Sequence, residues 1–378
     1  MGERAKSPRA LPLDQEDTGC ILTHTYSSAP DRHNMEDATT NSIDTSEKTP
    51  ALLDTELQVS FPDIFPLLLQ DHTTNKNIIW ATDDYREFGS TYTFASEITV
   101  DNLAGQQGRI VIPRLQKELE RQAYRVRDMA EVFTPTWVCN AQNNLIDEAW
   151  FGRPEVFNRE YTDEAGNHLW QPSIAPIPFA EEPSSDSTRS WQDYVKDTRL
   201  EITCGEAPYL VSRYDRVTGA PIRELPRRIG ILDRKLRVVS ENAPTLEEWQ
   251  HWALEALKAT YGYEWQGDSL LLARENVFLT LLDYCQSLFG QLPPTETLQE
   301  MARVISWNLW QMDGLKMVVP GTCKASTQLQ LFSSHSSRPC PGCATGNPFE
   351  HTGIQCHVRD WSQPPDKQVI SFVSLLRH

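Results

Sequence analysis

Apolar side chains become dense at one point in this chain. Residues 1 to about 55 are rich in Ser, Thr, Asp, Glu and Pro and hold few large apolar residues. Such a stretch cannot bury enough surface to offset its ordering entropy, which predicts a mostly disordered tail. From Leu57 the apolar positions crowd together at Val59, Phe61, Ile64, Phe65, Leu67, Leu68 and Leu69. Ile78-Ile79-Trp80-Ala81 and Arg109-Ile110-Val111-Ile112 read as short strands bounded by polar or turn-forming residues. Between Pro113 and Glu131, Leu115, Leu119 and Val126 stand among charged residues at helical spacing. Over about 158–190, acidic residues, prolines and a Ser-Ser-Asp-Ser run break any periodicity, so a functional flap or flexible insertion is expected there.

From Arg199 the pattern alternates between strand-like and helix-like units. Leu200-Glu201-Ile202-Thr203 runs into a glycine turn. Thr245 to Thr260 predicts a helix with Thr245 as N-cap, Glu248 closing a capping box, and Leu246, Trp249, Ala253, Ala256 and Leu257 as its apolar face. A longer helix capped by Asp268 runs through Leu271, Leu272, Val277, Phe278, Leu281 and Leu282, and Gly290 and Pro293 close it. Thr297 to Ile305 is a further helix leading to a strand near Trp307. This alternation predicts a mostly parallel α/β sheet.

Composition narrows the functions open to such a sheet. The 378 residues carry 35 Lys and Arg against 52 Asp and Glu, a net charge of -17. That field argues against coating nucleic acid, and DNA contact would need a local basic face or a partner chain. No apolar run is long enough for a membrane span, and no apolar core follows Arg4, Lys6 and Arg9, so the expected location is the cytoplasm. Eight cysteines without an export signal read as reduced thiols or metal ligands.

Three strand ends carry candidate chemistry. Glu201-Ile202-Thr203-Cys204-Gly205-Glu206-Ala207-Pro208 is a strand entering a small-residue turn, where glycine lets the backbone approach a ligand. Tyr261-Gly262-Tyr263-Glu264 ends a strand on an acid able to accept from ribose hydroxyls. Trp307-Asn308-Leu309-Trp310-Gln311-Met312-Asp313-Gly314 again ends on an acid. Each feature alone is ordinary loop chemistry, and their order is what a nucleoside-cofactor site requires.

Read with Glu131-Val132-Phe133-Thr134-Pro135, these segments resemble the adenine-specific DNA methyltransferases of restriction–modification systems, in the long single-chain type. Phe133-Thr134-Pro135 matches that family's opening F-T-P segment. Thr203-Cys204-Gly205 matches part of its D-P-A-C-G-S-G motif, with Glu206-Ala207 in place of Ser-Gly. Ile229 to Leu236 resembles the helix after that motif, and Gly262 to Leu282, with Ala273-Arg274-Glu275-Asn276, is similar to its G-x-D … A-R-x-N helix. From Pro50 onward, phrases such as Asp147-Glu148-Ala149-Trp150-Phe151-Gly152-Arg153 and Arg359-Asp360-Trp361 are similar to proteins called restriction endonuclease subunit M.

The resemblance implies a class I methyltransferase-like (Rossmann-like) doubly wound α/β sheet that binds S-adenosylmethionine. Phe133, Thr134 and Pro135 would border its methionine end, and Thr203, Cys204 and Gly205 would lie under the ribose and sulfonium. Glu264 would hold the ribose hydroxyls and Asp313 would face the adenine amine. The implied partners are DNA and another restriction–modification subunit. The catalytic N-P-P-Y loop, which polarises the target amine and stacks on the flipped base, has only Asn347-Pro348-Phe349 as a partial match. This leaves two readings: a modification subunit that needs a partner for catalysis, or a catalytically inactive methyltransferase-fold adaptor.

The C-terminal cysteines are a separate signal. Cys340-Pro341-Gly342-Cys343 is a C-x-x-C pair, half of a zinc knuckle, with Cys323, His351, Cys356 and His357 available to complete it. The first choice of metal set is Cys323, Cys340, Cys343 and Cys356, and the alternative is unrelated thiols in a loop. Cys139, Cys204 and Cys285, like Trp249 and Trp252, are expected to be core. The expected organisation is a tail over 1–55, an N-terminal α/β extension over 56–130, a cofactor-binding domain over 131–320, and a Cys-rich segment over 321–378.

Overall fold

A computed structural model describes residues 53–103, 110–114, 117, 134–179, 189–327 and 337–377. Residues 1–52 of the expected tail, the 113–131 helix apart from Pro113, Arg114 and Lys117, and Phe133 fall outside these, while residues 53–55 begin a helix. The described residues belong to one compact unit, 48–378.

The N-terminal helices are α1 (Leu53–Ser60) and α2 (Phe65–Leu69), followed by the short antiparallel pair β1 (Gln70–Asp71) and β2 (Lys76–Asn77), then α3 (Val100–Leu103). Helix α4 (Thr136–Phe151) starts on Pro135 and ends at Gly152 in the left-handed conformation. Strands β3 (Asn158–Thr162) and β4 (His168–Pro172) then form an antiparallel hairpin. Helix α5 (Trp191–Lys196) leads into β5 (Arg199–Glu201). Helices α6 (Ile231–Asn242) and α7 (Leu246–Lys258) connect β5 to β6 (Thr260–Glu264), and α8 (Gly267–Phe289) and α9 (Thr295–Asn308) connect β6 to β7 (Leu309–Gln311).

The centre is a three-stranded parallel sheet in the order β5-β6-β7. Leu200 lies opposite Tyr261, and Tyr263 opposite Trp310. Parallel neighbours need long crossovers, and the two helix pairs supply them. Because successive strand residues face opposite ways, Leu309 joins the main helical core while Trp310 joins a smaller cluster with Tyr263, Met312, Val319, Cys356 and Val358. The helices thus cover one face at β7, and the C-terminal segment covers the other. That segment contains β8 (Ser326–Thr327), β9 (Ser337–Arg338), α10 (Pro341–Thr345), β10 (His357–Arg359) and β11 (Val369–Ser371).

The expected helices form close to their predicted positions. On α7 the Thr245 hydroxyl accepts from Glu248 N at 3.2 Å, and Trp249, Ala253, Ala256 and Leu257 are all buried. Helix α8 ends on Gly290 at φ 66°. Asp268 is not its cap. It lies buried in the first turn, accepting from Tyr85 Oη at 2.7 Å and Lys117 Nζ at 3.0 Å.

Three expectations for strands and loops change. The helix over 295–308 runs through Trp307, so the strand begins two residues later at Leu309. Ile78–Ala81 makes only an isolated bridge, Ile79 to Glu97. The Gln311 amide accepts from Ile79 N at 2.9 Å and donates to Ile79 O at 2.8 Å, while Trp80 N and Ala81 N donate to Ser96 O and Phe94 O. The stretch expected to be loose from 158 instead opens with the β3–β4 hairpin, fixed by paired Asn140 and Asn158 side chains at 2.8 and 2.9 Å.

Side chains of 57–111 share the main core with α6, α7, α8 and α9. The buried Arg274 guanidinium on α8 joins them. It donates to Leu68 O and Gln70 O at the end of α2, and to Ser306 O and Leu309 O where α9 becomes β7. Burial lowers its pKa to about 10.

Candidate functional site: a strained turn at the strand ends and a cysteine–histidine cluster

The carboxyl ends of β5, β6 and β7 lie side by side because the sheet is parallel. After β5 the chain folds into a tight turn in which Thr203, Gly205 and Ala207 have φ of 48°, 53° and 61°. Only glycine adopts this region freely, and a β-branched Thr at positive φ is strained, an arrangement concentrated at ligand sites. A Cβ at Gly205 would meet no atom within 4 Å, so that side of the turn is open.

Glu264, at the end of β6, reaches across to the turn. Its Oε2 accepts from Gly205 N at 2.8 Å and its Oε1 from Gln266 N at 3.1 Å, while Cys204 N donates to Tyr263 O at 2.8 Å. Cys204 is buried, and burial raises its thiol pKa well above the usual value. Thr203 is exposed. Thr134 and Pro135 start α4 beside the same turn. Asn143 Nδ2 donates to Tyr209 O at 3.0 Å, and Thr136 Oγ1 accepts from Arg216 N at 2.8 Å and lines one small void with Glu206 and Pro208. The structure therefore brings Thr203, Cys204, Gly205 and Glu264 together, with Thr136, the residue after Thr134 and Pro135, beside Glu206 of the same turn.

Two details bear on what this turn can hold. Glu206, where the resembled family has Ser, is buried and accepts from Arg114 N at 2.7 Å, Tyr214 Oη at 2.6 Å and Arg216 Nη1 at 3.0 Å. Burial opposes its charge, but Arg216 and Tyr214 hold its pKa below the ordinary value. Together with Thr136 and Asn276 these groups leave a void of about 10 Å³, the size of one water. Asp313 is also buried. Its Oδ1 accepts from Leu315 N and Lys316 N, both at 3.1 Å, and its Oδ2 pairs with Lys316 Nζ at 3.1 Å. That carboxylate closes its own turn. A larger cleft of about 560 Å³ lies elsewhere, between β4, α6 and the end of α8, lined by Ile174, Leu225, Pro226, Arg237, Tyr284 and Leu288 among others.

A second constellation lies in the C-terminal segment. The donor atoms of Cys323, Cys340, Cys343 and His351 all fall within 4.8 Å of one another, a set able to hold a metal ion. His351 Nδ1 is 3.5 Å from Cys323 Sγ, 3.6 Å from Cys340 Sγ and 3.7 Å from Cys343 Sγ, and Cys323 Sγ is 3.6 Å from Cys343 Sγ. Desolvation of the Cys340 thiol is outweighed by backbone N–H groups of Cys343 and Thr352, which hold its pKa down at about 5. Gly342 is required here, since a Cβ would come within 2.6 Å of His351 N and 2.7 Å of its ring.

Cys356, expected as the fourth ligand, is a correction. It lies outside the cluster, fully buried, with its Sγ 3.4 Å from Gln311 O and its N donating to Met317 O at 3.1 Å. The residue before β10 faces the sheet, and His351 takes the fourth position. C-x-x-C spacing offered both candidates equally.

Cys139, Cys204 and Cys285 are buried, as are Trp249 and Trp310. Trp150 packs among Phe151, Phe179 and Tyr194, and Trp307 stacks on His72. Among the described residues no helix is long and apolar enough to cross a membrane. Comparison with family models, curated proteins and solved structures finds no match to this chain.

Proposed function

We propose that this chain is an S-adenosylmethionine-binding, DNA adenine methyltransferase-like modification subunit of a restriction–modification or related defence system, with a zinc ion in its C-terminal segment. The observation that carries the cofactor half is the bond between Gly205 N and Glu264 Oε2 at adjacent parallel strand ends, with Thr136, at the helix start after Thr134-Pro135, beside Glu206 of the same turn. A strained turn, an acid on the neighbouring strand and open space at Gly205 suit the ribose of a nucleoside cofactor. In this reading a ribose competes with the Gly205 and Gln266 amides for the Glu264 carboxylate. The doubly wound, Rossmann-like description belongs to the same reading. DNA and a second subunit are the partners it calls for, with catalysis depending on that subunit.

A second reading is favoured by one observation. Glu206, Tyr214 and Arg216 fill the space between the turn and Thr136, on the side where the methionine end would lie. This suits a catalytically inactive adaptor that keeps the fold for protein–protein contact. Incubating the purified chain with methyl-labelled cofactor and mixed DNA, with and without the second subunit this reading calls for, separates the two. Label transferred to DNA in either mixture supports the subunit reading. No transfer, together with no cofactor binding, leaves the adaptor.

A further inference from the structure

We propose that one zinc ion, bound by Cys323, Cys340, Cys343 and His351, staples the C-terminal segment over the second face of the parallel sheet and so fixes the Asp313–Lys316 turn. This rests on the zinc half of the reading above and is independent of the cofactor half.

The spacing of the donor atoms supports the metal. Zn–S bonds of about 2.3 Å and Zn–N bonds of about 2.0 Å around a tetrahedron place S···S about 3.8 Å apart and S···N about 3.5 Å apart. Of the six edges, the three S···N distances of 3.5, 3.6 and 3.7 Å and the Cys323–Cys343 S···S distance of 3.6 Å match, and the two S···S edges at Cys340 lie within 4.8 Å. A closed set of three thiolates and one imidazole is the pattern of a structural zinc site. Thr352 N, 3.3 Å from Cys340 Sγ, supplies the outer-shell donor that a metal-bound thiolate uses.

The stretch from Cys340 to Thr352 has little else to hold it. Between Cys340 and Thr352 only Cys340 and Gly342 are buried, and neither belongs to a hydrophobic cluster. A stretch with no apolar core of its own depends on such a cross-link for order. The ligands come from three places: the loop after β7 (Cys323), the α10 turn (Cys340, Cys343) and the approach to β10 (His351). One ion therefore ties all three.

The tie reaches the strand end through a short chain of contacts. Asp313 N donates to Val318 O at 2.8 Å, and Met317 N to Asp313 O at 2.6 Å. Val319 N donates to Ile354 O at 2.8 Å, and Ile354 N to Thr322 Oγ1 at 3.0 Å, one residue before Cys323. Gly353 admits no side chain, because a Cβ would lie 2.9 Å from Val318 Cγ2 and 3.0 Å from Cys323 N. Beneath these loops, Val319, Cys356 and Val358 cover Tyr263 and Trp310 on the sheet face away from the main core.

The test is zinc analysis of the full-length chain, followed by hydrogen exchange with and without a zinc chelator. The expected result is one zinc per chain and, on chelation, exchange faster by more than about tenfold at the Asp313, Met317, Val319 and Cys356 amides, with amides of α8 unchanged. Cys343→Ser should reproduce the chelated pattern. Should that variant not fold, His351→Cys keeps four ligands and is expected to retain one zinc, with cobalt(II) substitution giving the bands of an all-thiolate site. Cys356→Ala should keep its zinc. A chain without zinc after expression in zinc-replete medium overturns the metal assignment. Bound zinc whose removal leaves those amides unchanged overturns the stapling role, and loss of zinc in Cys356→Ala overturns the ligand set. None of these outcomes depends on cofactor binding.

Discussion

The turn at Gly205 and the loop at Cys340 both bring chain segments into close approach around a glycine, yet different forces hold them. At Gly205 the surroundings are core: Cys204, Ala207 and Leu210 are buried, Glu206 is locked by Arg216 and Tyr214, and Asn276 of α8 donates to Glu206 O at 3.3 Å. The turn is strained because its environment over-determines it. At Cys340 there is no such core, and the convergent groups are three sulfurs and an imidazole. One region keeps its shape through protein contacts, while the other, on the zinc proposal, takes its shape from the ion. Backbone strain at strand ends suits a binding surface, and convergent donors without a core suit a structural metal.

Four substitutions test the core side of this contrast, and removal of zinc tests the other. The largest effect is expected for Arg274→Ala, which leaves the Leu68, Gln70, Ser306 and Leu309 carbonyls without their shared donor and opens a cavity. Urea unfolding should show a loss on the order of 4 kcal/mol or more. Glu206→Gln is next. Removing one partner of the buried pair with Arg216 should cost about 3 kcal/mol in the same assay. A loss under half that would mean the turn is not held by this pair.

Glu201 gives a pH-dependent test. It is buried, Oε1 accepts only a long 3.4 Å bond from Tyr209 N, and Oε2 has no partner among the described residues. Burial raises its pKa from 4.5 to about 8. Between those values the folded state binds the extra proton, so its contribution to stability is present below about pH 4.5 and is lost as pH rises through about 8. Glu201→Gln should therefore raise the melting temperature at pH 9 and leave it nearly unchanged at pH 5. The smallest effect is expected for Gly205→Ala. With no atom near the new Cβ, only the backbone conformation at φ 53° is penalised, about 1 kcal/mol.

The same contrast explains what could be read in the sequence. Thr245, Glu248 and the Leu246–Leu257 stripe announce a helix through local rules, and Gly290 marks the end of another. Alternating strand and helix units announce the parallel sheet. What escapes is whatever depends on distant partners. Ile78–Ala81 has a strand's composition, but the Gln311 side chain takes the hydrogen bonds of Ile79. The β3–β4 hairpin has mostly exposed side chains and is held by the Asn140–Asn158 pair, so it leaves little apolar alternation. The choice between Cys356 and His351 depended on which faced the sheet, and spacing carries no such information. For the same reason the carboxyl of Asp313 could be placed at a strand end from sequence, while its turn onto Lys316 could not.

The claim that the strand-end turn is a cofactor site is tested most directly by calorimetric titration of the zinc-loaded full-length chain with S-adenosylmethionine, beside the Glu264→Ala variant. The account predicts saturable one-site heat for the native chain and its loss in the variant. No heat above dilution for the native chain, with zinc bound and the fold intact, would contradict it.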